Sequence, residues 1–94
     1  MEILFKDEVI VRIDNIYKED KWIHGTFTAY EGYYKYKQFL DAVVCESGFN
    51  ENEFDKELLN EHNWFIKTEK SLEKIWVPAI YYEDGDVSLK YRVD

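Results

Sequence analysis

Hydrophobic and polar residues change their spacing twice along the chain. From Glu8 to Tyr17 the run EVIVRIDNIY sets Val9, Val11, Ile13 and Tyr17 on one parity and Arg12 and Asp14 on the other. That is the two-residue period of a strand with one mostly polar face. After the polar turn Lys18-Glu19-Asp20-Lys21, residues 22–29 (WIHGTFTA) place Ile23, Phe27 and Ala29 on one side and Thr26 and Thr28 on the other. The two runs read as a hairpin. Gly25 inside the second marks a bulge, or a place where something packs close to the backbone. Over 32–46 the period lengthens. Tyr33, Tyr36, Phe39, Leu40, Val43 and Val44 share one wide face at helical spacing, Lys35, Lys37, Gln38 and Asp41 lie outside it, and Gly48 follows as a C′ glycine. A second helix is expected over 51–61. Asn50 is its N-cap, Glu53 completes a capping box, and Phe49 and Phe54 form a hydrophobic staple.

Residues 63–68 (NWFIKT) return to a strand pattern, and the charged stretch 69–73 turns. The run KIWVPAIYY, 74–82, is a strand that Pro78 either interrupts or confines to an edge, because proline cannot donate to a ladder. Asp84-Gly85 is the favoured two-residue hairpin turn. Counting outward from it, Tyr82 opposes Val87 and Ile80 opposes Leu89, with Lys90 and Arg92 on the outer face. The expectation is one α+β domain spanning 1–94. It has an antiparallel sheet of four to five strands, two helices packed on one face, and the order β-β-α-α-β-β-β.

Charge narrows the partners. Twelve basic and 20 acidic residues among 94 give a net −8, which repels phosphate backbones and anionic lipid and suits a basic protein partner. Hydrophobic residues at 46% are enough for a core, but no apolar run approaches the ~20 residues of a membrane helix. The start MEILFKDEVIV carries Glu2, Asp7 and Glu8 and does not read as a signal peptide. One cysteine, Cys45, permits no internal disulfide and points to a reducing cytoplasm.

Candidate chemistry is sparse. The acids Glu46, Glu51, Glu53, Asp55, Glu57 and Glu61 crowd 46–61 against Lys56 alone, a negative face for a basic partner with the last five as its contact candidates. Aromatic residues make up 18% of the chain, more than one small core needs, so Tyr30 and Tyr34 are candidate partner contacts. An aromatic pocket near His24, with Trp22, is the candidate for a small ligand. His62 suits a helix C-terminus, where the dipole favours a cation. Glu83, Asp84 and Asp86 read as a solvated hairpin tip. No catalytic residue, metal site or cofactor is expected.

The spacing Trp22-x-x-Gly25-x-Phe27, with the aromatic-rich helix and the last strand after Asp84-Gly85, resembles a family of small uncharacterised bacterial α+β proteins. The resemblance implies a cytoplasmic bacterial domain and carries over no catalytic residue. The reading is a non-catalytic interaction module, inhibitor-like or immunity-like, with an acidic and aromatic surface. The alternatives are a small-ligand-binding or enzymatic domain around His24, and a homodimer formed along an edge marked by Pro78.

Overall fold

Ile3, Leu4 and Phe5 are all buried, and the short strand they form lies inside the sheet between two others. The computed structural model describes residues 1–45 and 51–92. Its strands are β1 (Glu2–Phe5), β2 (Glu8–Glu19), β3 (Trp22–Ala29), β4 (Trp64–Lys67), β5 (Leu72–Lys74), β6 (Ala79–Tyr81) and β7 (Asp86–Lys90). They form one antiparallel sheet in the order β5-β4-β1-β2-β3-β7-β6, curled into a half-barrel. Just beyond β5 and β7, Ile75 bridges Tyr91, so the two flanks of the sheet meet. The backbone N–H groups of Trp76 and Arg92 donate to the carbonyls of Lys90 and Lys74 on either side of that bridge.

This overturns the expected α+β architecture of four to five strands carrying two helices. The protein is mostly β, with seven strands and one helix of more than a single turn among the described residues. That helix is α1 (Lys37–Val43), shorter than the expected 32–46. Glu31–Lys35 wind as a 3₁₀ turn instead, and Tyr36, at φ −114°, separates the two. Tyrosines are mediocre helix formers, and tertiary bonds override the periodicity here. The Glu8 carboxylate of β2 accepts from Lys35 Nζ at 2.8 Å and from the Tyr36 hydroxyl at 3.0 Å, holding the 3₁₀ turn against the sheet.

The expected helix over 51–61 is also absent. Glu51–Glu53 and Glu61–Asn63 are 3₁₀ turns, and between them α2 (Lys56–Leu59) is one turn long. Asp55 is its N-cap: extended at ψ 136°, it accepts from the Glu57 N–H at 2.9 Å. An aspartate that bonds two residues ahead competes with helix continuation. Glu53, Glu57 and Glu61 would also stack like charges at i, i+4 in a continuous helix. The Asn50 cap and the Phe49 half of the staple lie outside the described residues, as does Gly48.

The core fills the concave side. Ile3, Phe5, Ile10, Val11, Ile13, Ile23, Val87 and Leu89 face it from the sheet, and Phe39 and Leu40 of α1 plug it from above. Trp64 is fully buried between them, 4.9 Å from the Phe5 ring and 6.1 Å from the Phe39 ring. Its indole N–H donates to the Leu58 carbonyl at 2.9 Å, which ties the α2 segment to β4. In the last hairpin Ile80 opposes Val87 and Tyr81 opposes Asp86, two residues away from the expected register. The loop is therefore four residues, 82–85, with Gly85 at φ +74° donating to the Tyr81 carbonyl. A two-residue shift preserves parity, so Val87 and Leu89 stay inside. Arg92, expected outside, is buried. Pro78 is buried too, between β5 and β6, where it interrupts the 74–82 run, and β6 beyond it is the last strand in the sheet order. Among the described residues no helix is long and apolar enough to cross a membrane.

Candidate functional site

One extra residue in β2 decides which side chains reach solvent. Asp14 pairs with Thr26, but Tyr17 pairs with His24, so the register slips between them. Asn15 takes φ 53° at this bulge, and its side-chain amide donates to Thr26 Oγ1 at 2.9 Å. A bulge reverses the facing of everything beyond it. Tyr17, on the same parity as buried Val11 and Ile13, therefore points outward, and Lys18 takes the inner face beside Ile23. Gly25 sits opposite the bulge. A Cβ there would meet the Asp14 carbonyl oxygen at 2.6 Å and Ile13 Cγ2 at 2.9 Å, so both sequence readings of this glycine hold.

The outward turn of Tyr17 completes a row of rings on the convex side of β2, β3 and β7. Tyr17 stacks on His24 at 4.9 Å, and Trp22 lies nearly parallel to His24 at 6.1 Å. His24 Nδ1 is 2.8 Å from Ser88 Oγ, which fixes the imidazole in the row. Lys90 Nζ hangs over the Trp22 ring at 5.9 Å. Tyr17 is 60% exposed and Trp22 41%, and Ile16 adds an exposed apolar side chain at the bulge. A cleft of about 330 Å³ runs beside His24, between Asn15, Tyr17, Thr26, Asp86 and Ser88. It lies on the outside of the sheet and not between sheet and helices, where the sequence expectation placed it.

The structure does not assemble the other candidates in the same way. Tyr30 is half-buried, and its hydroxyl donates to Glu2 Oε2 at 3.1 Å. Burial and that carboxylate raise its pKa. Tyr34 is exposed, with its hydroxyl 3.5 Å from that of Tyr82. Both tyrosines therefore turn to partners outside 51–61. Within 51–61, Asp55 is occupied as a cap, and Glu57 takes Lys6 at 3.4 Å and the Asn63 amide at 2.9 Å. Glu51 and Glu53 lie in a 3₁₀ turn, and Glu61 opens the next one, exposed. Cys45 is exposed. His62 sits in the turn before β4, with Nδ1 3.1 Å from Arg92 Nη1. A guanidinium only donates, so this nitrogen accepts and the imidazole proton sits on Nε2. Among the described residues no three His, Cys, Asp or Glu side chains converge to hold a metal ion.

A second aromatic cluster lies by α1. Tyr33 is fully buried and stacks flat on Tyr82 at 5.7 Å, with Tyr34 edge-on to it at 5.5 Å. Burial, reinforced by Asp41, Tyr82 and Tyr34, pushes the Tyr33 phenol up to about 12. Lys37 pairs with Asp41 at 2.7 Å and sits 4.5 Å over the Tyr82 ring.

The sequence pattern pairs Trp22 with His24 but sets Tyr17 on the core parity, whereas Tyr17 is the most exposed ring of the row. The usable signal was Gly25 opposite Asn15, two residues suited to a bulge. No family model, curated protein or solved structure matches this chain.

Proposed function

We propose that this chain is a non-catalytic protein-interaction module, inhibitor-like or immunity-like, and that its contact surface is the outer face of β2, β3 and β7 around Tyr17, Trp22 and His24. One observation carries this reading. Three stacked rings stand on the solvent side of a sheet whose other side is already filled by the core. Tyrosine and tryptophan exposed in this way are favoured interface anchors, because they bring large contact area for little side-chain entropy. Trp22 stands between Glu19 on one strand and Lys90 on the other, and Asp86 opposite Thr26 adds a carboxylate beside the His24 cleft. Together with the net −8, the two carboxylates favour a partner with a basic surface. The single exposed cysteine suits a reducing compartment, and a cytoplasmic location belongs to the same proposal.

The test is affinity capture from the source cell with the wild type, with Tyr17→Ser/Trp22→Ser, and with a charge-neutralised 51–61 variant. The expected result is a basic partner held by the wild type and the 51–61 variant but lost by the double variant. Retention by Tyr17→Ser/Trp22→Ser would refute the surface. Loss with the 51–61 variant alone would move the contact to the acidic segment. If sedimentation shows a dimer that the double variant breaks, the rings serve self-association instead.

A further inference from the structure

The bulge that turns Tyr17 outward has an opposite effect on the concave side. Lys18 pairs with Ile23, so it stands on the concave parity, exposed near the end of the hairpin. β1 pairs with β2 only as far as Arg12, whereas β2 continues against β3 to Glu19, so the β2–β3 hairpin extends past Met1. The β4–β5 turn stands across from it. Between them opens a basin of about 880 Å³, walled by the tips of these two hairpins, the start of β1 and the strand end at Tyr91 and Arg92. Met1 and Tyr91 form its apolar part and pack on the core. The volume is that of a small-molecule site, and the mouth of a curled sheet is a common place for one.

Its charge is opposite to that of the molecule. Five of the chain's 12 basic residues line it, against three of its 20 acidic ones. Lys18 and Lys21 come from one hairpin and Lys70 from the other, facing a shared space. Among the described residues these three lysines form no salt bridge, as is also true of Lys56, Lys67 and Lys90 elsewhere, so their charge is available to a ligand. Lys74 and Arg92 add positive charge to the wall, and Asp20, Glu69 and Glu73 offset part of it. At physiological salt, charges are screened beyond about 8 Å, so the nearest side chains set the field in the basin. An extended polyanion would also meet the acidic remainder of the surface. A compact one would meet the lysines.

We infer that this basin binds a small polyanionic metabolite of the phosphate-ester class, held by Lys18, Lys21 and Lys70. The site lies on the opposite side of the sheet from the ring row and does not depend on it. Pyrophosphate is the probe. Calorimetric titration of the full chain at low salt should show saturable binding that weakens as salt is added, with a rise in melting temperature. Lys18→Gln/Lys21→Gln/Lys70→Gln should bind at least about tenfold more weakly, the loss of roughly one charge-assisted contact or more. Lys56→Gln, outside the basin, should bind like the wild type. Lysine acylation read by mass spectrometry covers the case in which the triple variant does not fold, because in the wild type pyrophosphate should protect Lys18, Lys21 and Lys70. Absence of binding, equal binding by a folded triple variant, or protection confined to other lysines would overturn the inference.

Discussion

Replacing Gly25 by alanine tests the bulge on which both faces of the sheet depend. The new methyl would stand 2.6 Å from the Asp14 carbonyl oxygen and 2.9 Å from Ile13 Cγ2. The first neighbour is backbone, pinned by the pairing of Asp14 with Thr26, and cannot rotate away. Forcing a methyl into packed structure costs about 1–3 kcal/mol. Stiffening the unfolded chain returns about 0.4–1 kcal/mol. The net loss is about 1–2 kcal/mol, and in a domain of this size each kcal/mol moves the melting temperature by about 4–8 °C. Gly25→Ala should therefore melt roughly 5–15 °C below wild type by circular dichroism. Gly85→Ala is the contrast. Nothing lies within 4 Å of a Cβ there, but φ is +74°, so its cost is backbone strain. Asparagine tolerates that conformation and should rescue position 85 but not position 25. A Gly25→Ala protein that melts at or above the wild-type temperature would refute the close approach, and with it the bulge geometry.

Two further outcomes follow from single groups. The Tyr33 hydroxyl is buried with no hydrogen-bond partner, so Tyr33→Phe should raise stability by up to about 1 kcal/mol in urea unfolding. The same variant should lose the phenol that ionises near pH 12 in an alkaline absorbance titration, and an unchanged titration would contradict that burial. Hydrogen bonds from Lys35 and then Tyr36 hold the Glu8 carboxyl below its ordinary 4.5. A depressed acid stabilises above that value and loses its contribution as pH falls through the folded pKa. Glu8→Gln should therefore be less stable than wild type at pH 7, with the gap in urea midpoint narrowing as pH falls below 4.5. A gap that does not narrow on acidification would show that the loss is not electrostatic.

The strand parities of Ile13, Ile23, Val87 and Leu89 were legible because alternation is a local property, and it survived even the two-residue error in the last hairpin. What lay beyond the sequence pattern was set by tertiary pairing. β1 is four residues long and gains strand character only by sitting between β2 and β4. The helical period at 32–46 was real, but Glu8 claims Lys35 and Tyr36 and breaks it at Tyr36. At 51–61 Asp55 caps a single turn by accepting from the Glu57 N–H two residues on. At the candidate site, Trp22 and His24 were readable as an aromatic pair. Tyr17 was not, because its facing depends on an inserted residue whose one local mark is Gly25 opposite Asn15. The basin was hidden for the same reason, since Lys18 looks like part of a solvated turn until the register slips.

The central position of β1 bears on how the chain is made. Its first edge is met at once by β2, but its second waits for β4, about sixty residues later. During synthesis Ile3 and Phe5 would sit along an unsatisfied strand margin, open to docking by any other nascent chain. Synthesis speed and chaperone supply, more than final stability, should then govern how much product stays monodisperse.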